Sequence, residues 1–590
     1  MPSSLRLYAA IRRFFLSAND PLPWLIAATA LGALPYLQAM IATLAGPFTI
    51  DDDARQLVFW MVRWGDPALF RNDLIADYFA SVSPPGFRAA YWLAAQFGID
   101  PVLASKIFPT LLNAVMTVFA FRLGLLLSGG RVLAAFLGAV GLAFMMAWSH
   151  IIISGTPRGF GVPLLMVFLF YLARRRTIGL TVSGALVALT YPPAAALGLG
   201  ALGLTIFRWR GRPRLDLSRA TWLPILCAGS VGVAILLIAA LDRPFGPIAT
   251  TEQVRSEPMF RSGGRMPLFD DKGAVRFRSC GGAFGVLPIE WCQLAGRRLA
   301  APILLGLLLV ALIWAAGGLR LRGPPGERPI DWGPIVRLLL TGAILYAVAF
   351  VLLPKLHVPS RYALTPLRLV GLLGATMLGV LLAERALRKA GPADSDGFLT
   401  GRQWAQIGLA ALTVIAFAAL YPLDVARRNV TPRYPAILAY LREQPKSALV
   451  AGMHAVTSNI PAFARRRVLV AGEYAIPLDR RYITRYRAGA HALIGAQYTA
   501  DPAKLVAFLR RYRVSHLVFD PKVLTPAGLS TVWWRREHAA AHRRAMAALE
   551  RGDVPALQRF LKPCAAIRER DLIVITARCI IGRAGGGDPH

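Results

Sequence analysis

The run PLPWLIAATALGALPYLQAMIATL, residues 21–44, is followed almost directly by Asp51-Asp52-Asp53-Ala54-Arg55-Gln56. The apolar run is long enough to cross a bilayer, which takes roughly 20 residues. It exceeds the 7–15 apolar residues of a secretory signal core, so it reads as a retained first transmembrane helix behind Arg6, Arg12 and Arg13. Three successive carboxylates at a membrane boundary are costly unless they face water, a cation or a substrate. The remaining sequence is therefore read as a frame that holds this acidic cluster.

The totals agree. Of 590 residues, 55% are hydrophobic and 17% charged, against about 25% charged in soluble proteins. The chain is a polytopic α-helical membrane protein on this reading. A formal net charge of +35 would suggest nucleic acid binding in a soluble chain. Here the cations sit in short loops between apolar runs, where they set orientation, so no nucleic acid partner is expected. The excess favours an anionic partner such as a lipid phosphate. Five cysteines without Cys-x-x-Cys or His/Cys ligand spacing argue against zinc.

Eleven segments qualify as transmembrane helices: 22–44, 106–128, 131–150, 159–174, 177–191, 193–208, 220–241, 299–318, 333–353, 366–384 and 404–422. Tyr191-Pro192-Pro193 splits the pair at 177–208, as two short spans or one broken helix. With the N-terminus inside, the inner loops hold Arg131, then Arg174–Arg176, then Arg208, Arg210, Arg212 and Arg214, then Arg320, Arg322 and Arg328, and finally Arg385, Arg388 and Lys389. All are basic, as the positive-inside rule requires, and the split at Tyr191 keeps that phase. Residues 1–423 then form a transmembrane domain with long outer loops at 46–105 and 242–298. Residues 424–590 form an extracytoplasmic domain, which gives an N-in, C-out chain. In that domain, strands at 448–452, 468–472 and 516–520 alternate with a turn and short helix at 459–464 and a helix at 503–512. That alternation predicts a small α/β domain with a parallel sheet. On an oxidising outer face Cys280 can pair with Cys292, and Cys564 with Cys579.

The first outer loop carries Asp51, Asp52, Asp53 and Arg55, then Asp66, Arg71, Asp73 and Asp77. Its aromatic residues Phe59, Trp60, Trp64, Phe70, Tyr78 and Phe79 suggest amphipathic helices on the membrane surface. The bland reading of the Asp run is a solvated loop that caps the helix after it. The turn after the third span adds Ser149, His150, Thr156 and Arg158; the loop before the tenth adds Lys355, His357, Arg361 and Arg368. A histidine at a helix end is usually satisfied locally, and Lys355 can snorkel to headgroups. Arg158 and Arg368 stand where positive charge needs a partner.

An acidic and a basic constellation on one membrane face suit transfer of a sugar from a lipid phosphate. The phosphate leaves as a stable anion, so one carboxylate accepts the acceptor proton and cations hold the phosphate. Asp51, Asp52 and Asp53 are the catalytic candidates, with Asp52 preferred because neighbours on both sides raise its pKa. Arg55, His150, Arg158, Lys355, His357, Arg361 and Arg368 are the phosphate-binding candidates. Asp52 and Asp53 are also candidates for a divalent ion, Mg²⁺ or Mn²⁺, that would neutralise phosphate.

Asp51-Asp52-Asp53 after the first span, with this topology, resembles the GT-C superfamily of integral membrane glycosyltransferases. Ser154–Pro163 and Asp66–Asp73 are similar to segments of uncharacterised bacterial members. The resemblance implies a catalytic or metal-binding role for Asp51–Asp53, a polyprenyl-phosphate sugar donor, a lipid or envelope acceptor, and the bacterial inner membrane with the C-terminal domain in the periplasm or outside. Trp533-Trp534 is followed by Arg535 rather than Asp, unlike the oligosaccharyltransferase motif, which disfavours transfer to peptide Asn. Two other classes stay open. A transporter or flippase for an anionic lipid-linked substrate would show inverted repeats and mid-membrane charges, and neither is seen in the sequence. A non-enzymatic envelope assembly factor is the third reading.

Overall fold

The computed structural model describes residues 20–46, 48–210, 212–294, 331–390 and 429–584, together with residues 6, 8 and 9. Nine of the eleven expected segments fall on described residues, and each is helical over most of its length; 299–318 and 404–422 lie outside them. The helix α1 spans Pro21–Leu44. It is followed by the short strand β1, Ile50–Asp51, and by α2, Asp52–Val58. The rest of the first outer loop holds α3, Leu74–Val82, and α4, Pro85–Gln96. The bundle continues with α5, Pro101–Leu127, α6, Val132–Trp148, and α7, Pro157–Arg174. Next come α8, Thr177–Thr190, and α9, Pro192–Gly203.

After a short hairpin of β2, Phe207–Arg210, and β3, Arg212–Leu215, α10 covers Arg219–Leu241. The short α11, Ile289–Leu294, precedes α12, Gly333–Val351, and α13, Ser360–Ala390. Four of these helices, α1, α5, α10 and α12, are long and apolar enough to cross a membrane. Their outward faces carry exposed Leu22, Ile26 and Ile41 on α1 and Leu237, Ile238 and Leu241 on α10, the last 84% exposed. Bands of this kind are stable against lipid and not against water.

The break at Tyr191 is real: its backbone is extended (φ −150°, ψ 91°) between α8 and α9. At about 1.5 Å per residue, 14 and 12 residues give roughly 21 and 18 Å, so each is short of a ~30 Å hydrocarbon core. The two helices run in opposite directions. Arg175, Leu180, Leu202, Thr205 and Thr221 share one hollow at one end of the bundle, whereas Leu189 and Thr190 meet Gly86 of α4 at the other. The Tyr191 turn therefore stands beside the first outer loop.

Residues 429–584 build β4, Asn429–Val430, α14, Pro435–Glu443, and a five-stranded sheet. The strands are β5, Leu449–Ala451, β6, Arg467–Val468, β7, His516–Phe519, β8, Ala565–Glu569, and β9, Leu572–Thr576, in the order β6-β5-β7-β9-β8. Helices α15, Arg480–Tyr498, α16, Pro502–Tyr512, and α17, Ala539–Glu550, cover it. The expected parallel sheet is corrected to a mixed one. β5 pairs in parallel with β6 and β7, but β9 runs antiparallel to both β7 and β8. The cause is the β8–β9 hairpin, whose turn at Arg570 has φ +54°. Both of the possible cystine bridges, Cys280–Cys292 and Cys564–Cys579, are formed.

Five of the six aromatic residues read as a membrane-surface stripe are instead covered by protein. Phe59, Trp60, Phe70, Tyr78 and Phe79 are buried in one core with the C-terminal region. Phe59 and Phe79 meet Tyr474 at 5.2 and 5.3 Å between ring centroids, and Tyr78 stacks on Tyr482 at 3.7 Å. Their helical spacing reflects burial against protein, which produces the same pattern as burial in lipid. The same packing holds the acidic turn in place.

Candidate active site

β1 and β4 pair antiparallel, Ile50 with Val430 and Asp51 with Asn429. This joins the end of the first outer-loop turn to the start of the C-terminal region. Asp51 caps α2: its carboxylate accepts from the backbone N–H of Asp53 at 3.0 Å and of Ala54 at 3.4 Å, the standard use of Asp at a helix start. Its other oxygen is buried with no hydrogen-bond partner among the described residues. Burial first, and then the Asp53 charge, push its pKa up to about 7, against the lowering effect of the two cap bonds. The cap points Asp51 inward and leaves Asp52 and Asp53 facing out.

Asp52 and Asp53 line a cavity of about 710 Å³ together with Arg55. The opposite wall comes from the C-terminal region: Asn429, Arg433, Tyr434, His454, Asn459, Glu473 and Asp571. Asp52 is the more open carboxylate, with 44% of its side chain accessible. The Arg55 guanidinium is buried and held through both terminal nitrogens. It donates to Asp52 at 2.6 Å, to Asn459 Oδ1 at 2.5 Å and, in a shorter contact, to Glu473. Gln56 Nε2 donates to the same Glu473 carboxylate at 2.9 Å. Arg265 of the outer loop at 242–298 closes the ring, donating to Gln56 Oε1 at 3.1 Å and to the Glu473 carbonyl at 3.1 and 3.2 Å. Burial raises the Glu473 pKa against the lowering influence of Arg55.

Arg158, at the start of α7, pairs with Asp53. One turn on, Gly161 allows α7 to approach Tyr191, because a Cβ there would lie 2.5 Å from the Tyr191 Cβ. The Arg361 guanidinium sits over the same Tyr191 ring, 5.9 Å from its centroid, in range for a cation–π contact. Arg361 has no carboxylate partner among the described residues. His357, four residues before it, is in the left-handed region (φ +64°). The Arg361 charge, burial and the Arg243 charge hold it neutral, well below the usual histidine range. Arg243 faces Asp479 at 3.6 Å, and Asp479 accepts from the Tyr78 hydroxyl at 2.9 Å. Asp53, Arg158, Tyr191, Arg361 and His357 thus form a continuous polar seam between cavity and bundle.

Not all of the predicted basic residues join this seam. Arg368 is closed by two oxygens of Glu290, at 3.0 and 3.1 Å, both side chains being buried. Lys355 is exposed, and His150 is buried in its turn with φ +55°; neither lines the cavity. The segment Asp66–Asp73 is structural. Asp66 pairs with Lys446 at 2.5 Å, and Asp73 caps α3 through Ala76 at 2.7 Å. Trp533 and Trp534 are structural too. Trp533 donates to the Met453 carbonyl at 2.7 Å, and Trp534 is core.

Among the described residues, no three His, Cys, Asp or Glu side chains gather as a metal site. Asp52, Asp53 and Glu473 each face a guanidinium. A divalent ion at Asp52 and Asp53 would share their oxygens with Arg55 and Arg158.

Sequence reading missed Glu473, Arg265, Arg243, His454, Asn459 and Asp571. Glu473 directly follows the expected strand at 468–472, the position where α/β folds place functional side chains. Asp571 follows from recognising the apolar run Leu572–Ile575 as a strand entered through a hairpin.

No family model matches the chain, and no curated protein matches it. Among solved structures, it is similar to the oligosaccharyltransferase AglB of Archaeoglobus fulgidus, solved with an inhibitory peptide and a dolichol-phosphate. The identity is 12% and the TM-score 0.45, over 91% of this chain and 72% of that one. It is similar to the arabinofuranosyltransferase AftD from Mycobacteria at 15% identity and a TM-score of 0.44, over 85% of this chain and 35% of that one. It is also similar to ArnT from Cupriavidus metallidurans bound to undecaprenyl phosphate, at 12% identity and a TM-score of 0.33, over 96% and 99%.

Proposed function

We propose that the chain transfers a glycosyl group from a polyprenyl-phosphate donor to an acceptor held in the 710 Å³ cavity, on the outer face of a bacterial plasma membrane. Residues 1–423 act as the membrane domain and 424–590 as the extracytoplasmic one. The observation that carries this reading is that Asp52, in the cavity, adjoins Asp53, which pairs with Arg158 at the head of the Arg158–Tyr191–Arg361 seam. One part of the site takes a proton, and the other receives an anion at the end of the helical bundle.

Asp52 is the base. It is the more open carboxylate, and Arg55 fixes its direction. The acceptor O–H bond breaks as its oxygen bonds the anomeric carbon, and the proton passes to Asp52. The carbon–oxygen bond to the phosphate breaks, and its electron pair leaves with the phosphate. Asp53 orients Arg158, and Arg158 and Arg361 stabilise the charge that develops there. Asp51 stays behind as the cap.

In isolated membranes supplied with a lipid-linked radiolabelled sugar, Asp52→Asn should lower transfer by about 10²–10⁴-fold, the usual worth of a positioned base. Arg361→Ala should raise the donor concentration needed. Full transfer by folded Asp52→Asn protein overturns the assignment.

A further inference from the structure

The wall opposite Asp52 has a chemistry that the transfer step does not use. His454 caps the short helical turn Ala455–Ser458, its Nδ1 accepting from the Val456 N–H at 3.1 Å. An Nδ1 held as acceptor fixes the neutral tautomer with hydrogen on Nε2, so His454 presents one N–H donor to the cavity it lines. Asn459 spends its Oδ1 on Arg55, which leaves both N–H bonds of its amide available. Asp571 accepts from Tyr434 at 2.7 Å through one oxygen and keeps the other. Arg433 is exposed beside them, held over the Tyr434 ring at 5.7 Å.

The wall therefore alternates fixed donors with a fixed acceptor, each oriented by a bond on its far side. Val430, Ala455 and Val456 are its few apolar members. A lipid acceptor tail would leave these polar groups without partners, at about 1–3 kcal/mol each. A hydroxyl both donates and accepts, so a ring bearing several of them satisfies the carboxylate and the N–H groups together. The volume lies within the ~300–1,000 Å³ of small-ligand sites.

We infer that the wall of His454, Asn459 and Asp571 is an acceptor subsite for a hydroxyl-rich sugar ring, so that the acceptor is a glycan rather than a peptide or a bare lipid. This rests on the proposed transfer reading, because it names what faces Asp52.

The test is saturation-transfer NMR on the full-length protein in lipid nanodiscs. The probes are methyl α-mannopyranoside, methyl β-galactopyranoside and methyl α-arabinofuranoside at millimolar concentration, with a serine tripeptide for comparison. At least one glycoside should receive saturation, and His454→Asn and Asp571→Asn should each weaken it about tenfold, roughly 1.4 kcal/mol. Asn can keep the cap at 454, and Asn at 571 can keep the Tyr434 bond, so an unchanged Tm separates lost contact from lost fold. Lys504→Gln, on a separate groove, should change nothing. No glycoside binding, binding of the tripeptide alone, or glycoside binding indifferent to both wall variants overturns the inference. Saturation transfer reads contact without chemistry. Sugar binding in a protein that transfers nothing would remove the proposed function and leave the subsite standing. Asp52-dependent transfer with no glycoside contact would do the reverse.

Discussion

Replacing Asp51 by Asn should make the protein more stable at neutral and alkaline pH. Asp51 caps α2 with one oxygen and buries the other without a partner among the described residues. Its pKa rises to about 7, while an unfolded aspartate titrates near 3.9. Between those values the native state holds a proton that the unfolded state has lost. Stability therefore falls as pH rises from about 4 to about 7, and the full penalty stands above that. At 1.36 kcal/mol per pH unit, the ionised Asp51 costs up to about 4 kcal/mol. Asn is an equally good cap and has no charge to bury. The gain from Asp51→Asn should be near zero at pH 4 and grow to its maximum near pH 8. Thermal unfolding in detergent, followed by tryptophan fluorescence at pH 5, 6, 7 and 8, should show the two Tm curves diverging by several degrees. Parallel curves across that range would refute the burial argument.

Two further outcomes follow from buried contacts. Removing one side of the Arg368–Glu290 pair, by Glu290→Gln or Arg368→Met, should cost about 3–5 kcal/mol. The double apolar variant should recover much of it, and thermal unfolding of the three variants in detergent checks this. Thiol counting in denaturant should give one reactive cysteine, Cys227, before reduction and five after it. Reduction should also lower the Tm, since closing a loop of about 15 residues is worth roughly 3 kcal/mol.

Much of the helical frame is legible in the chain because its signals are local. Apolar length locates the helices, and the basic loops required a break at Tyr191 that the backbone shows. The acidic turn stands out because its composition changes at a boundary. The ranking inside it was not legible. Like-charge repulsion between neighbours pointed to Asp52 as the group with the raised pKa, but burial outweighs it, and the cap buries Asp51. Arg55 and Arg368 stand as phosphate candidates in the sequence because the carboxylates that hold them, Glu473 and Glu290, lie 418 and 78 residues away. Their partners come from tertiary packing, which carries no periodic signal. The outer-loop aromatics show the same limit, since a stripe at helical spacing does not say whether protein or lipid covers it.

The pairing of Ile50–Asp51 with Asn429–Val430 has a consequence for how the protein is made. Its two strands lie roughly 380 residues apart, so at about 5–20 residues per second the acidic turn waits on the order of 20–80 s for its partner to be synthesised. Until then the cavity lacks its far wall, and Arg55 lacks Glu473 and Asn459. On the proposed reading, the growing chain therefore places its carboxylates on the outer face before the cavity that would use them is complete.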